Sequence, residues 1–300
     1  MRIMISGGTG FIGVPLVRRL LGQGHTVGVL SRNPSSVSAG TPIPWDGRQL
    51  GPWTEEVAAA DAVINLAGEN IAGGRWTEER KRRILASRLD ATGMLVQALN
   101  SAPPRARAFV SASAIGYYGS RGDEVLTESA AAGSGFLAEV SRRWEEAAAP
   151  AAESARLAIV RIGIVLAADG GALAPMLLPF RLGLGGPIGD GEQWMSWIER
   201  DDLLSTIQRL VTDPSTSGVY NATAPEPVRN REFTRTLADV LRRPHLLGVP
   251  AFAIRLAMGE MAGPLLLESQ RVMPSRLLGP PLQFGHATLT SALRHHLIRG

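Results

Sequence analysis

The sequence contains no cysteine among its 300 residues. This absence excludes disulfide bonds, thiolate zinc sites, iron–sulfur clusters and a cysteine nucleophile. Aromatic residues make up only 5% of the chain, too few for the base-stacking surfaces of nucleic-acid-binding proteins. No apolar run approaches the roughly 18 residues of a membrane span, and the N-terminal residues lack a signal-peptide pattern. We therefore expect a cytoplasmic protein with neither a membrane nor a nucleic-acid partner.

Lysine is almost absent too, because Lys81 is the single lysine among the 31 basic residues. The 27 acidic residues leave a formal net charge of +4, and the arginines are spread along the chain. The one basic cluster, Arg80 to Arg83, follows Glu78 and Glu79 in a segment with helical periodicity. Such mixed charge is typical of a solvated helix face and does not indicate a nucleic-acid surface.

The first half of the chain alternates strand and helix patterns. Short apolar runs of the buried-strand type are separated by segments whose apolar residues recur at helical spacing. This order predicts an α/β fold, a Rossmann-type doubly wound parallel sheet with helices on both faces. The strands are predicted at residues 2–6, 26–31, 62–66, 108–113 and 157–162, and the helices of this half at 14–21, 77–100 and 136–149.

A glycine-rich segment, Gly7-Gly8-Thr9-Gly10-Phe11-Ile12-Gly13, stands between the first strand and the first helix. Glycines at this spacing allow a tight turn, close approach of a pyrophosphate to backbone N–H groups, and close packing of helix on strand. The start of a helix adds partial positive charge. The residues predicted to bind a dinucleotide here are Gly7, Thr9, Gly10, Phe11, Ile12 and Gly13.

The end of the second strand distinguishes between the two nicotinamide dinucleotides. Enzymes that use NAD usually carry Asp or Glu there, to bind the ribose 2′-hydroxyl. This chain has Ser31 and Arg32 instead. A guanidinium suits a 2′-phosphate, and a hydrogen bond to a charged group contributes about 1.5–3 kcal/mol. The pattern predicts NADP as the cofactor, although a solvated arginine after a strand would give the same sequence.

Several segments together resemble the extended short-chain dehydrogenase/reductases, and more narrowly their NADP-binding "epimerase family protein" group. The resemblance extends over nearly the whole chain, and it includes the terminal segment 259–297. The segments that resemble the group are Gly7 to Gly13, Asn65-Leu66-Ala67-Gly68-Glu69-Asn70-Ile71, Arg75-Trp76-Thr77, Ser87-Arg88, Ser111 to Gly119, Arg161 to Leu166 and Trp197-Ile198.

The resemblance implies a domain organisation and further cofactor contacts. It implies an NADP-binding Rossmann domain over residues 1–165, to which some later segments return. A smaller, mixed C-terminal substrate lobe follows over residues 166–300 and includes a family-specific module at 245–297. It also implies that the cofactor lies against Leu66, Ala67, Gly68, Glu69, Arg88 and Ser111.

The acid/base pair usual in such enzymes is missing. They move a hydroxyl proton with a Tyr whose pKa is lowered by a Lys four residues later. No Tyr-x-x-x-Lys occurs in this chain, and the corresponding positions hold Phe136 and Val140. The serine that usually assists is present as Ser113, and Tyr117 or Tyr118 is the best-placed substitute acid. We therefore take Ser113, Tyr117 and Tyr118 as the candidate catalytic residues.

Two functions remain open. One is an NADP(H)-dependent oxidoreductase or epimerase-like enzyme that acts on a small hydroxyl or carbonyl compound, as a monomer or homodimer. The other is a non-catalytic NADP(H)-binding regulatory or sensor protein, which the missing Tyr-x-x-x-Lys favours. No metal site is expected, since metal-binding helical spacings are absent, and His295-His296 is expected to be solvated. Asp201 or Asp202 is expected to cap a helix.

Overall fold

The computed structural model describes residues 1–103, 107–245, 247–279 and 283–298. Its strands, in chain order, are β1 (Arg2–Ser6), β2 (Thr26–Ser31), β3 (Thr41–Pro44), β4 (Ala62–Asn65), β5 (Ala108–Ala114), β6 (Val125–Leu126), β7 (Arg156–Ile162), β8 (Ile164–Ala167), β9 (Gly170–Gly171), β10 (Trp194–Met195), β11 (Trp197–Glu199), β12 (Gly218–Ala222), β13 (Val228–Arg229) and β14 (Arg271–Val272). The α-helices are α1 (Gly13–Gly22), α2 (Trp53–Ala58), α3 (Glu78–Ser101), α4 (Phe136–Ala148), α5 (Leu173–Arg181), α6 (Arg200–Thr212), α7 (Asn230–Leu241), α8 (Ala251–Met258) and α9 (Leu289–Leu297).

Seven parallel strands form the central sheet, in the order β12-β7-β5-β4-β1-β2-β3. The chain moves outward from β1 through β2 to β3, and then returns to the other side of β1 with β4. This reversal between β1 and β4 is the switch point at which open α/β sheets bind ligands, outside the carboxyl ends of the strands. The predicted doubly wound α/β fold is therefore confirmed.

The two faces of the sheet have separate cores, because side chains alternate along each strand. Ile3 and Ile5 of β1 pack with α1 and α6, in a cluster that includes Leu16 and Leu203. Met4 points to the opposite face, where α2 and α3 cover it. Burial on both faces explains why the strands read as continuous apolar runs.

The edges of the sheet contain elements that the apolar pattern did not predict. Strand β3 has the sequence Thr-Pro-Ile-Pro, and only Ile43 is buried. Strand β12 comes from the second half of the chain and pairs in parallel with β7. Residues beyond 165 thus supply one strand of the central sheet.

A smaller lobe with short sheets follows. Strand β8 pairs in parallel with β11 and antiparallel with β9, β10 pairs with β13, and β14 pairs with β6. Helices α5, α7 and α9 share a core with these strands, which includes Trp197 and Phe233. The mixed strand directions confirm the predicted mixed C-terminal part. No helix within the described ranges is long and apolar enough to cross a membrane.

One local prediction was wrong, and a second was wrong for one of its two residues. Helix α6 is capped by Glu199, whose side chain accepts a hydrogen bond from the Asp202 N–H. Asp202 instead accepts the N–H groups of Gly285 and His286, from a segment far along the chain. Of the two histidines expected to be solvated, His295 is exposed, whereas the His296 side chain is only 10% exposed beside Glu199. Both differences arise from the packing of the terminal segment against the start of α6.

Candidate functional site

A row of polar side chains marks the carboxyl ends of the central strands. Ser6 of β1, Asn65 of β4 and Ser111 of β5 are in register and buried. The Ser6 hydroxyl donates to Asn65 Oδ1 at 2.7 Å, and Asn65 Nδ2 donates to Thr92 of α3 at 2.8 Å. This network fixes the strand ends at the switch point, and Ser111 Oγ has no hydrogen-bond partner among the described residues.

The loop after β1 packs so tightly against neighbouring backbone that Gly7 and Gly13 leave no room for a side chain. Gly7 has a φ of +73°, and a Cβ there would lie 2.6 Å from the carbonyl carbon of Leu66. A Cβ on Gly13 would collide with the carbonyl oxygen of Gly7. The Gly10 N–H donates to that same oxygen at 3.0 Å, which closes the turn. The glycines thus satisfy two requirements of a phosphate cradle, a tight turn and close helix–strand packing.

Helix α1 begins at Gly13, directly after this turn. Within the part of the chain that is described, no side chain caps it, and its first turn has no acidic residue. Thr9 and Gly10 are exposed, whereas Phe11 and Ile12 are half-buried. Phe11 packs so closely on β9 that a Cβ at Gly170 would lie 2.5 Å from its ring. The helix dipole, at an end with no side-chain cap, suits an anion.

Ser31 and Arg32 follow the end of β2, at the same edge of the sheet. Ser31 is buried and its hydroxyl donates to the Asn33 carbonyl at 3.0 Å. Arg32 is exposed and makes no hydrogen bond or ion pair with any residue that the structure describes. An unpaired guanidinium beside a phosphate cradle fits a second anionic group, such as a 2′-phosphate.

Gly68 and Arg88 contact each other beyond the end of β4. A Cβ on Gly68 would lie 3.0 Å from the guanidinium carbon of Arg88, so glycine leaves room for this side chain. Arg88 donates to the backbone carbonyls of Ile84 and Glu69 and lies 5.0 Å from the Trp144 ring centroid. Burial lowers the pKa of Arg88 to about 10. It therefore remains protonated at neutral pH and offers positive charge to a ligand.

The neighbouring residues Leu66, Ala67 and Glu69 are half-buried. The Leu66 N–H donates to the Ser6 carbonyl, and the Ala67 N–H to Asn65 Oδ1. The Glu69 carboxylate is turned toward α3, where Arg80 and Arg83 lie 3.4 and 3.5 Å away. The basic cluster on α3 therefore holds Glu69 in place.

Ser113 belongs to a buried charged cluster that the sequence did not predict. Its hydroxyl donates to Glu145 Oε1 of α4 at 2.6 Å. Both carboxylate oxygens of Glu145 also accept from Arg161 of β7, each at 2.8 Å. The two charged side chains are 11% and 4% exposed. Ser113 and Arg161 are in register on neighbouring strands, so the strand pairing brings this cluster together.

The two candidate tyrosines differ in their surroundings. The buried Tyr118 hydroxyl donates to Asn221 Oδ1 at 2.7 Å and accepts from Arg161 at 2.9 Å. Burial raises the pKa of Tyr118, which disfavours the phenolate. Tyr117 is half-buried, and its ring centroid lies 3.4 Å from the Arg161 guanidinium carbon. These contacts favour a structural role for Tyr118 and leave Tyr117 as the better candidate for proton transfer.

Phe136 and Val140, which the family resemblance places where a Tyr and a Lys usually stand, lie in an apolar cluster. Val140 is 4% exposed and packs with Ile84 and with Met261 from the terminal segment. Phe136 meets Trp76 edge-on, with ring centroids 4.9 Å apart. This face of α4 is thus part of the hydrophobic core, a surrounding that disfavours a charged lysine.

The positions described so far fit a nicotinamide dinucleotide. The fit rests on the glycine turn, the uncapped start of α1, the free Arg32 and the unpartnered Ser111 hydroxyl. All of them lie at the carboxyl edge of the sheet, near its switch point. The sequence identified these residues, but Glu145 has no signal in the sequence, since it becomes informative only when β5, β7 and α4 are placed together.

Comparison with known proteins shows the family of the chain. The chain matches the NAD dependent epimerase/dehydratase family over residues 3–223, and a domain of unknown function, DUF1731, over residues 249–296. A curated relative is the chloroplastic epimerase family protein SDR39U1 homolog of Arabidopsis thaliana, which is 42% identical over 98% of this chain and 86% of its own.

Two solved structures are similar in both sequence and fold. The human epimerase family protein SDR39U1 with NADPH is 36% identical, with a TM-score of 0.89 over 99% of each chain. A nucleoside-diphosphate sugar epimerase from Corynebacterium glutamicum is 34% identical, with a TM-score of 0.78 over 99% of this chain and 58% of its own. The chain therefore belongs to the NAD dependent epimerase/dehydratase family, in the epimerase family protein group that the sequence resembles.

Proposed function

We propose that this protein binds NADP(H) and transfers a hydride between that cofactor and a small hydroxyl or carbonyl compound. The observation that carries the proposal is the glycine turn from Gly7 to Gly13 before an uncapped helix, with the free Arg32 at the end of the next strand. The presence of NADPH in the crystal structure of the human relative supports the same cofactor here.

In this proposal, each group of residues at the carboxyl edge of the sheet contacts a different part of the cofactor. The turn and the start of α1 bind the pyrophosphate through backbone N–H groups. Arg32 would bind the 2′-phosphate, and the unpartnered Ser111 hydroxyl would form a hydrogen bond with the cofactor. Ala67, Gly68 and Arg88 border the same edge. The bound cofactor supplies or accepts the hydride, and the chain must supply the positioning and the proton.

Ser113 is the residue that we assign to the substrate oxygen. Its proton is donated to Glu145, so the hydroxyl oxygen is left as an acceptor for the hydrogen of a substrate hydroxyl. Arg161 holds Glu145 from the other side, which fixes the direction of this hydrogen bond. Tyr117 lies against the same guanidinium and is the proposed proton donor or acceptor. This arrangement replaces the usual Tyr–Lys pair with groups from β5 and the turn after it.

A non-catalytic NADP(H)-binding regulator is the second candidate. The specific observation in its favour is the apolar cluster around Phe136 and Val140, which occupies the usual place of the acid/base pair. In this case NADP(H) would bind with the same selectivity, but no substrate would be reduced or oxidised.

Fluorescence titration of the purified protein with NADPH, and separately with NADH, tests the cofactor assignment. We expect tight NADPH binding and much weaker NADH binding. Transfer of a labelled hydride from NADPH to a member of a carbonyl library would then support the enzyme. Tight binding without any transfer would favour the regulator, and failure to bind either nucleotide would overturn both candidates.

A further inference from the structure

The terminal helix α9 brings two histidines to the buried carboxylate at the end of β11. His296 Nε2 lies 2.8 Å from Glu199 Oε1. One donor atom from each of Glu199, His295 and His296 lies within 4.8 Å of the donor atoms of the other two. Glu199 is fully buried, the His296 side chain is 10% exposed and that of His295 is 44% exposed. The three side chains therefore converge at a point that is closed on the protein side and open on the other.

Among the described residues, the two buried atoms of this group have only each other as an ion-pair partner. Glu199 Oε2 accepts the Asp202 N–H at 3.0 Å and caps α6. Glu199 Oε1 and His296 Nε2 approach each other, yet neither makes a hydrogen bond of normal geometry with a described residue. Buried polar atoms without such partners are uncommon, and an ion that both atoms bind is one explanation for them.

The donor set is typical of a transition-metal site. Two imidazole nitrogens and one carboxylate oxygen match the ligands of zinc, with bonds of about 2.0–2.2 Å and a fourth position for water. Without thiolates the set does not select soft ions, and the imidazoles disfavour Mg²⁺ and Ca²⁺. A cation would also compensate the buried Glu199 carboxylate, whose charge is costly to bury alone.

The surroundings hold these ligands in position. His286 stacks on His295 with ring centroids 4.4 Å apart, and its Nδ1 is 2.8 Å from Ser291 Oγ. Asp201 Oδ2 lies 3.7 Å from His295 Nε2, while Asp201 Oδ1 pairs with Arg19. Outer groups of this kind orient metal-binding imidazoles. His286 and Asp201 are therefore positioned to support the site without completing it.

We propose that Glu199, His295 and His296 bind one divalent transition-metal ion, with Zn²⁺ as the best match to the donors. The ion would join the last helix of the chain to the start of α6. None of the three residues belongs to the proposed cofactor site, and the proposal does not depend on that function. Sequence spacing did not indicate it, because Glu199 comes from a distant segment and the two histidines are adjacent in sequence.

Calorimetric titration of the tag-free, EDTA-treated protein with zinc sulfate tests the proposal. We expect one Zn²⁺ per chain in the wild type. In His296→Gln the affinity should fall by at least about tenfold, as loss of a ligand requires. His245→Gln is the matched control, since this histidine lies outside the group, and it should bind Zn²⁺ like the wild type.

A second variant and a second measurement distinguish the loss of a zinc ligand from misfolding of the protein. His295 is largely exposed, so His295→Gln removes a donor without disturbing the core, and it should also weaken binding. Zinc should raise the Tm of the wild type and of His245→Gln, and much less that of His295→Gln. Absence of saturable zinc binding in the wild type would overturn the proposal. Equal binding by the wild type and both cluster variants would overturn it as well.

Discussion

Arg161 and Glu145 form a buried bidentate ion pair in which both N···O distances are 2.8 Å. The pair is connected to all three candidate catalytic residues. Ser113 donates to the carboxylate, the guanidinium donates to the Tyr118 hydroxyl, and it also lies over the Tyr117 ring. The proposed candidate catalytic residues are thus all in contact with one ion pair between α4 and β7, or with one of its two members.

Removal of one charge from this pair should be strongly destabilising. In Glu145→Gln the Arg161 charge stays buried without its partner, which costs about 3–5 kcal/mol of unfolding free energy. Urea unfolding measures the difference. The matched control is Glu146→Gln, which changes the next residue, an exposed carboxylate that pairs with Arg142 at the surface. It should change stability by about 0.5 kcal/mol or less. Equal stability of the two variants would contradict the buried pair.

Tyr118 should ionise only at unusually high pH. Burial raises its pKa above the ordinary value of 10.0. The folded protein therefore keeps the phenol proton more tightly than the unfolded chain, and this contribution to stability is present below pH 10 and lost as the pH rises through the folded pKa. Ultraviolet titration should show an increase in phenolate absorbance at unusually high pH. This increase should disappear in Tyr118→Phe and persist in Tyr117→Phe. Phenolate formation below pH 10 that is lost in Tyr118→Phe would indicate a catalytic tyrosine instead.

Arg32 should determine the choice between the two nucleotides. Loss of its hydrogen bond to a 2′-phosphate is worth about 1.5–3 kcal/mol, or roughly ten- to hundredfold in affinity. Arg32→Ala should therefore weaken NADPH binding by this factor and leave NADH binding nearly unchanged, as nicotinamide fluorescence would measure. Arg143→Ala, at an exposed arginine of α4, controls for the loss of a positive charge. Equal weakening of both nucleotides by Arg32→Ala would refute the 2′-phosphate contact.

Ser113 should matter for turnover and not for cofactor binding. Ser113→Ala removes the hydroxyl that we assign to the substrate and that donates to Glu145, and it leaves the glycine turn intact. Once a substrate is known, we expect kcat to fall about 100-fold or more with little change in the Kd for NADPH. Ser111→Ala separates the two roles, because its hydroxyl is assigned to the cofactor. Unchanged turnover in Ser113→Ala would remove it from the catalytic residues.

The parts of the site that were predictable from the sequence are the local ones. The turn from Gly7 to Gly13 needs small residues at fixed spacing, so its sequence reports its structure directly. Ser31 and Arg32 could be placed because a strand end is visible in the apolar pattern. Glu145 could not be placed, since its partners Ser113 and Arg161 come from two strands that only the sheet brings together.

The same distinction holds for the fold. The alternation of strands and helices predicted the central sheet, because each strand is buried on both faces. Strand β3 was not predicted, because two of its four residues are prolines, which are confined to the edges of sheets and do not indicate a strand. Strand β12 and the contact between His296 and Glu199 depend on long-range packing, for which a single sequence contains no periodic signal.

Placing a Tyr at position 136 and a Lys at position 140 should strongly destabilise the protein at only one of the two positions. Val140 is almost fully buried among apolar side chains, so the Val140→Lys ammonium would lose its hydration, and the cost should be about 3 kcal/mol or more. Phe136 is half-buried, and Phe136→Tyr should cost about 1 kcal/mol or less.

Urea unfolding near pH 7 and about pH 9 measures both effects and tests their cause. A buried lysine has a lowered pKa, so the unfolded state binds more protons and the deficit of Val140→Lys should shrink as the pH rises. Arg143→Lys puts the same side chain at an exposed position of α4 and should be neutral at both pH values. A Val140→Lys protein as stable as the wild type would mean that this face of α4 can open to water. Packing around position 140 would then not explain why this chain has no lysine there.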